Sequence, residues 1–331
     1  MALTSDEVLG WARVGVLLIG MGWAAWMDHK ERRVSNNHWM IWVKPAIFIW
    51  CLELLARDAD WTIYLTASAI VAYASVAIIG RPTLQDLLAG NKEDVIVFLW
   101  YLVSLIGVIF GMVKYGDVEL ADLLLGNESG MTALYWTTLS GLVVIFVIDL
   151  GWRLRLIHGG ADAKALMWVA ILIPNWSTMP IITDYGSDVV LRLPPAISLL
   201  MWGGLSFLLI PLILVGKNLI NGNVKSVQDL RMFWHSTVMP LDKVQQSHVW
   251  LLTSMIEMPN GERKPYHKTR APRRTPTDDE LTKQLQDLRL NNVEYVWVSY
   301  KLPLLVFLFP AILPMALLGD ITTIIIKMIG L

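Results

Sequence analysis

Residues 95–113, VIVFLWYLVSLIGVIFGMV, contain no charged side chain and decide the fold class. The hydrocarbon core of a bilayer is roughly 30 Å thick and takes about 20 apolar helical residues, so this stretch predicts a transmembrane helix. Similar apolar stretches recur on both sides of it along the chain. The predicted spans cover residues 8–27, 39–56, 62–80, 95–113, 132–150, 163–182, 196–216 and 302–328. The sequence therefore predicts an all-α polytopic membrane protein with about eight transmembrane helices.

The composition of the 331-residue chain supports this class, since 55% of it is hydrophobic, 17% is charged and the mean hydropathy is +0.51. The first span follows the acidic residues Asp6 and Glu7 and precedes basic ones, the reverse of a signal peptide, so we expect it to be retained. The single cysteine, Cys51, excludes an intramolecular disulfide and a CxxC zinc site. We expect no cofactor, no metal ion and no nucleic-acid partner.

Lysine and arginine are distributed unevenly between the two sides of the predicted membrane. The segments after the first, third, fifth and seventh spans are basic, whereas those after the second, fourth and sixth are mainly acidic. Basic segments face the cytoplasm in most membrane proteins. We therefore expect a multi-pass cell-membrane protein with segments 28–38, 81–94, 151–162 and 217–301 in the cytoplasm and both termini outside.

Three regions follow from these spans: a membrane domain at 1–216 with seven spans, a small cytoplasmic α/β insert at 217–301 and a final span within 302–331. In the insert, residues 277–280 (TDDE) fit a capping box and precede leucines at helical spacing, which predicts a helix at about 277–290. Residues 247–257 and 293–299 are typical of strands. Prolines interrupt the sixth and eighth spans, where we expect kinks, with a split or re-entrant segment as the alternative.

Basic residues are concentrated between Arg263 and Arg274. This segment has two interpretations, a polybasic contact with anionic membrane lipid or an ordinary solvated cytoplasmic loop.

Two of the charged residues within predicted spans have structural interpretations. Asp149 is expected to pair with Arg153 at position i+4 of the same helix, and Arg13 to reach the interface or to pair internally.

Two aspartates lie where predicted spans meet the cytoplasm. Asp28 opens DHKERRVSN (28–36) after the first span, and Asp162 lies in LIHGGADAK (156–164) before the sixth. Because an even number of spans separates these segments, both aspartates should lie on the same face at similar depth. Each has an ordinary explanation: Asp28 as the flank of a basic loop, Asp162 as a favourable anion in the first turn of a helix.

A pair of close carboxyls has a specific chemistry. Two such groups cannot both ionise easily, so they share a proton. The ionised one can take a proton from a water that attacks a peptide carbonyl, and the protonated one can donate to the oxyanion or leaving amine. Lys30 and Lys164, each two residues after an aspartate, would lower the carboxyl pKa values or position substrate.

The motif GGADAK at 159–164 resembles the G-x-[GA]-D-x-K motif of the GxGD aspartyl peptidases, in the form found in type IV prepilin peptidases and archaeal preflagellin peptidases. The segment Asp28-x-Lys30-x-x-Arg33-Val34-x-Asn36 is similar to the first-aspartate segment of that family, and residues 296–320 resemble the end of longer archaeal members.

The resemblance implies an integral membrane endopeptidase that removes short basic leader peptides from pilin-like or archaellin precursors at the cytoplasmic face. It implies Asp28 and Asp162 as the catalytic pair, with these motif or supporting residues: Gly159, Gly160, Lys164, Lys30, Arg33 and Asn36. The chain lacks the four cysteines of many bacterial members that also N-methylate their products. Two alternatives remain open: a presenilin-like intramembrane peptidase and a transporter with paired carboxylates as an ion site.

Overall fold

The computed structural model describes residues 4–125, 128–157, 159–180, 192–224, 226–259, 261–272, 274 and 276–329. The chain divides into two compact units. The first comprises Met1–Gly204 together with Pro303–Leu331, and the second comprises Leu205–Leu302.

Helices dominate the described residues. In chain order they are α1 Ser5–Glu31, α2 Asn36–Ala56, α3 Trp61–Ile79, α4 Leu84–Leu88, α5 Lys92–Tyr115, α6 Leu120–Leu125, α7 Gly130–Arg153, α8 Gly160–Leu172, α9 Pro195–Phe207, α10 Leu209–Ile220, α11 Val227–Leu230, α12 Leu241–Val244, α13 Asp278–Leu290, α14 Leu305–Leu318 and α15 Ile321–Ile329. Among them, α1, α2, α3, α5, α7 and the run Pro195–Ile220 are long and apolar enough to cross a membrane. The class of helical protein with apolar spans is therefore confirmed at this coarser level, with six such helices.

The predicted sixth span is shorter than expected. In the structure α8 ends at Leu172, because Ile173 precedes Pro174 and its φ of −126° and ψ of 77° lie outside the helical region, which a residue before proline avoids. At 1.5 Å per residue, its 13 residues cover only about 20 Å. The 3-10 turn Trp176–Thr178 follows, and the last two residues of the predicted span lie outside the described residues.

The predicted eighth span consists of two helices rather than one kinked helix. Helix α14 contains Pro310 and Pro314 and ends at Leu318. Its C-cap Gly319 has a φ of 73°, a backbone conformation that glycine adopts more readily than other residues. The carboxylate of Asp320 then accepts hydrogen bonds from the backbone N–H groups of Thr322 and Thr323, so it caps α15. Asp320, which lies within the predicted eighth span, thus begins a new helix.

Around α8, the first unit packs its helices as a bundle: α1, α2, α3 and α7 all contact α8. Its residues from Ala165 to Leu172 are all buried. Next to this core, the ion pair between Arg13 of α1 and Glu53 of α2 measures 2.6 Å, with 1% and 4% of these residues exposed. Of the two expectations for Arg13, internal pairing is the one observed.

The second unit contains a small sheet with the strand order β1 (Thr237–Pro240), β5 (Tyr295–Tyr300), β2 (Val249–Leu251), all antiparallel. A separate hairpin pairs β3 (Thr253–Glu257) with β4 (Arg263–His267). The predicted helix is α13, with the expected capping box between Thr277 and Glu280. Its leucines Leu285 and Leu288 are buried in the core of this unit.

The first five residues of the basic segment 263–274 form strand β4 rather than loop. Several of its charges have acidic partners: Arg263 pairs with Asp287, Lys264 with Glu262 and Arg274 with Glu280. These pairs reduce the positive charge available for anionic lipid, and the lipid contact stays a prediction.

We expect Glu53→Leu to destabilise the first unit by about 3–5 kcal/mol, because it leaves the Arg13 guanidinium buried without its partner. The measurement is denaturant-induced unfolding in mild detergent. The double variant Arg13→Met/Glu53→Leu should recover most of the loss, since it removes both charges. Glu262→Gln, which breaks an exposed ion pair, should change stability by less than about 1 kcal/mol. Equal effects of Glu53→Leu and Glu262→Gln would contradict the structural role of the buried pair.

Candidate active site

Asp28 lies in the last turn of α1 and is only 8% exposed. The helix ends at Glu31, and Arg32 adopts the left-handed conformation (φ 56°) while its N–H bonds the carbonyl of Asp28. The backbone N–H of Leu305, the first residue of α14, interacts with the Asp28 carboxylate. Burial raises the pKa of Asp28, and the start of α14, which like any helix N-terminus favours negative charge, opposes part of that rise.

Asp162 is the third residue of α8, and Gly159 is the N-cap of that helix. The N–H of Gly159 bonds the Asp162 carboxyl, which is one half of a capping box. A Cβ on Gly159 would overlap Oδ2 of Asp162. A side chain at 159 would therefore displace the Asp162 carboxyl, and the reason for glycine here is space rather than backbone conformation, since its φ is −93°.

The two carboxyls lie close enough to interact. Burial and the negative charge of Asp28 raise the pKa of Asp162 to about 7, against 3.8 for an ordinary aspartate. The expected proximity of the two predicted membrane-edge aspartates is therefore present in the fold. Such a pair can hold one proton near neutral pH and deliver it as a general acid, while the other carboxylate serves as a general base.

Lys164 and Asn36 also meet, although on another side of α8. The Lys164 ammonium donates a 2.7 Å hydrogen bond to Oδ1 of Asn36, whose amide in turn donates to the carbonyl of Ile78 at the end of α3. The Lys164 nitrogen also lies 6.0 Å from the centre of the Trp152 ring. These contacts tie α8 to α2, α3 and α7.

The expectation that the lysines lower the carboxyl pKa values is not met at Asp162, whose pKa is raised. The physical reason is helical geometry, because residues i and i+2 do not face each other on a helix. Lys30 shows the same displacement: it is exposed, and its nitrogen lies 5.0 Å from the centre of the Trp26 ring. Arg33 is likewise exposed.

Gly160 differs from Gly159 in what surrounds it. A Cβ on Gly160 would lie 3.1 Å from Cζ2 of Trp152, the outer part of an indole ring. A small adjustment of that ring could accommodate the methyl group. The second glycine of the motif therefore packs against α7, whereas the first makes room for the carboxyl.

Arg32 is a site residue that the sequence reasoning did not single out. Its positive charge acts on Asp28, and its Nε and Nη1 are buried without a hydrogen-bond partner among the described residues. The available signal was its spacing, since Asp28 and Arg32 are four residues apart, as Asp149 and Arg153 are. That second pair forms as expected, at 2.8 Å.

In the part of the chain that the structure describes, no group of three or more His, Cys, Asp or Glu side chains is arranged to hold a metal ion. No protein-family model matches the chain, and no curated protein matches it. The arrangement of the site therefore carries the functional argument.

Titration of the Asp162 carboxyl should give a midpoint near pH 7, measured by infrared difference spectroscopy or by carboxyl-labelled NMR. Asp162→Asn should remove this signal. Asp28→Asn should move the midpoint downward, because it removes the like charge while burial remains. Asp279→Asn, at an exposed position on α13, should leave the signal unchanged.

The same pKa predicts how Asp162 affects stability. Because the folded-state pKa lies above 3.8, the fold binds the proton more tightly than the unfolded chain does, and this contribution to stability should fall as pH rises from about 4 to about 7. Asp162→Asn should remove that part of the pH dependence. A pH dependence of unfolding identical in the variant and the wild type would contradict it.

Proposed function

We propose that the chain is an integral membrane aspartyl endopeptidase that cleaves the short basic leader peptide of prepilin-like or preflagellin (archaellin) precursors. The observation that carries the proposal is the raised pKa of Asp162, about 7, beside the carboxyl of Asp28. One carboxyl of the pair is poised to hold a proton at neutral pH, as acid–base hydrolysis of a peptide requires. The resemblance of both aspartate segments to the prepilin peptidase family supports the substrate class.

The two aspartates have different surroundings, which suggests different roles. Burial raises the pKa of Asp28, but the Arg32 charge and the Leu305 N–H beside it favour its ionised form and limit that rise. In this proposal Asp28 is the base that takes a proton from the attacking water. Burial and the charge of Asp28 raise the pKa of Asp162, so Asp162 holds a proton that it donates to the oxyanion or to the leaving amine.

The positions of the aspartates in their helices favour this proposal over the two alternatives. Asp28 is three residues from the end of α1, and Asp162 is the third residue of α8. Carboxyls at helix ends suit cleavage beside a substrate's hydrophobic helix. A presenilin-like peptidase or a transporter would place the carboxyls deeper in adjacent spans, nearer the midplane.

Cleavage of a prepilin or preflagellin precursor by detergent-solubilised protein tests the catalytic pair. Asp28→Asn and Asp162→Asn should each lower the rate by roughly 10²–10⁴-fold, the usual contribution of general acid–base catalysis. Glu31→Gln, an exposed acid three residues from Asp28, is the matched control and should cleave normally. Because Asp162 must carry its proton, the wild-type rate should fall above about pH 7. Full cleavage by either asparagine variant would refute the proposed pair.

The proposal places the catalytic pair at the cytoplasmic face and both termini outside. In a Cys51→Ser background, a cysteine introduced at Asn37 should be protected from a membrane-impermeant maleimide in intact cells, whereas one at Asp117 should be labelled. Both positions are exposed, so accessibility in lysed cells serves as the control. Labelling of the first cysteine from outside would reverse the orientation.

A further inference from the structure

Two cavities of the first unit meet beside α3. The larger, of about 550 Å³, lies between α3, α5 and α7, and its lining is mainly apolar: Ala69, Val76, Leu105, Val108, Leu142 and Phe146. The smaller, of about 360 Å³, lies at the ends of α3 and α7 and includes Asp149, Trp152 and Arg153. Tyr73 and Val76 line both cavities. Together they form an apolar chamber with a polar mouth.

The mouth carries positive charge that is available to a ligand. Asp149 is already satisfied, because Oδ2 accepts hydrogen bonds from Nε of Arg153 at 2.8 Å and from the Tyr73 hydroxyl at 2.9 Å. A guanidinium has five N–H donors, and this ion pair uses the one on Nε. The Arg153 side chain is 54% exposed. Arg81 is also close enough for its charge to act on Tyr73, so the charged groups around Tyr73 are two arginines and one carboxylate.

The larger cavity opens toward the outer surface of the helices. Val143 and Phe146, which line it, are 59% and 51% exposed. These exposed apolar side chains lie on α7, one of the helices long and apolar enough to cross a membrane. A ligand entering here comes from the hydrocarbon phase rather than from water.

We propose that the joined cavities bind one anionic phospholipid, with an acyl chain between α3, α5 and α7 and its phosphate at Arg153 and Arg81. A volume of 550 Å³ is typical of ligand pockets. The positive mouth beside an apolar chamber matches the two chemical parts of a phospholipid with a negative headgroup.

The site would act on the same indole ring as the GGADAK motif. Trp152 lines the polar mouth, and its ring is the neighbour that a Cβ on Gly160 would meet at 3.1 Å. A headgroup at the mouth would therefore contact the ring that packs against the first turn of α8. This inference is independent of the proposed peptidase activity.

Native mass spectrometry of protein released from nanodiscs that contain equal phosphatidylglycerol and phosphatidylcholine tests the proposal. Wild type should retain one phosphatidylglycerol in preference to phosphatidylcholine. Ala69→Phe, which fills the chamber, should abolish retention, and Val113→Phe, at an 81% exposed position of α5 outside both cavities, should preserve it. Equal retention of the two lipids by wild type, or undiminished retention by Ala69→Phe, would overturn the site.

The headgroup contact is tested separately. Arg153→Gln and Arg81→Gln should each lower phosphatidylglycerol retention roughly fivefold, as expected for one basic group near an anionic lipid. Because Arg153→Gln also removes the ion pair of Asp149, the exposed Arg81 carries the test if that variant does not fold. Arg155→Gln is the matched control, because Arg155 is an exposed cation that lines neither cavity and, unlike Arg81, is not among the charges that act on Tyr73. Equal losses in the Arg81 and Arg155 variants would contradict a specific phosphate site.

Discussion

The burial of α8 is the constraint on which the rest of the first unit depends. A helix that is apolar on all sides must be surrounded by other helices, and α1, α2, α3 and α7 provide that surround. At 13 residues it is also too short to carry both of its ends to the surfaces of a bilayer. The N–H groups at a helix start have no partners within the helix backbone, and at the start of α8 the Asp162 carboxyl accepts a hydrogen bond from the N–H of Gly159.

Two aspartates that look alike in sequence become different because each meets the start of a helix in its own way. Asp28 lies in the last turn of α1 and against the beginning of α14. The N–H of Leu305 and the charge of Arg32 therefore both interact with its carboxylate. Asp162 lies inside the first turn of its own helix and interacts with the single N–H of Gly159. Burial above all, and then the negative charge of Asp28, raises the pKa of Asp162 to about 7, and the one N–H of Gly159 offsets only part of that rise. Differences of this kind are what separate an acid from a base in a carboxyl pair.

Sequence reasoning predicted what depends on counting and on local chemistry. The even number of spans between Asp28 and Asp162 brought both to one end of the bundle, and the capping box of α13 follows from residue types alone. Features that depend on packing direction were missed: Lys164 turns toward Asn36, and Arg32 supplies the charge near the pair instead. The break in the last predicted span was only the alternative to a kink, because hydropathy does not distinguish a buried polar residue in a helix from one that caps the next helix.

The GGAD motif is best understood as a capping box that has lost one of its two partners. In an ordinary box, a serine or threonine side chain at the N-cap would bond the backbone of the third residue while that residue's carboxylate bonds back. With glycine at 159 the first bond is gone, and the carboxyl keeps only the reciprocal one. A side chain at 159 would occupy the space of Oδ2, so the glycine both permits the position of the carboxyl and leaves it sparsely bonded. A sparsely bonded, partly buried carboxyl beside another negative charge keeps its proton at neutral pH, and that retained proton is what a general acid needs.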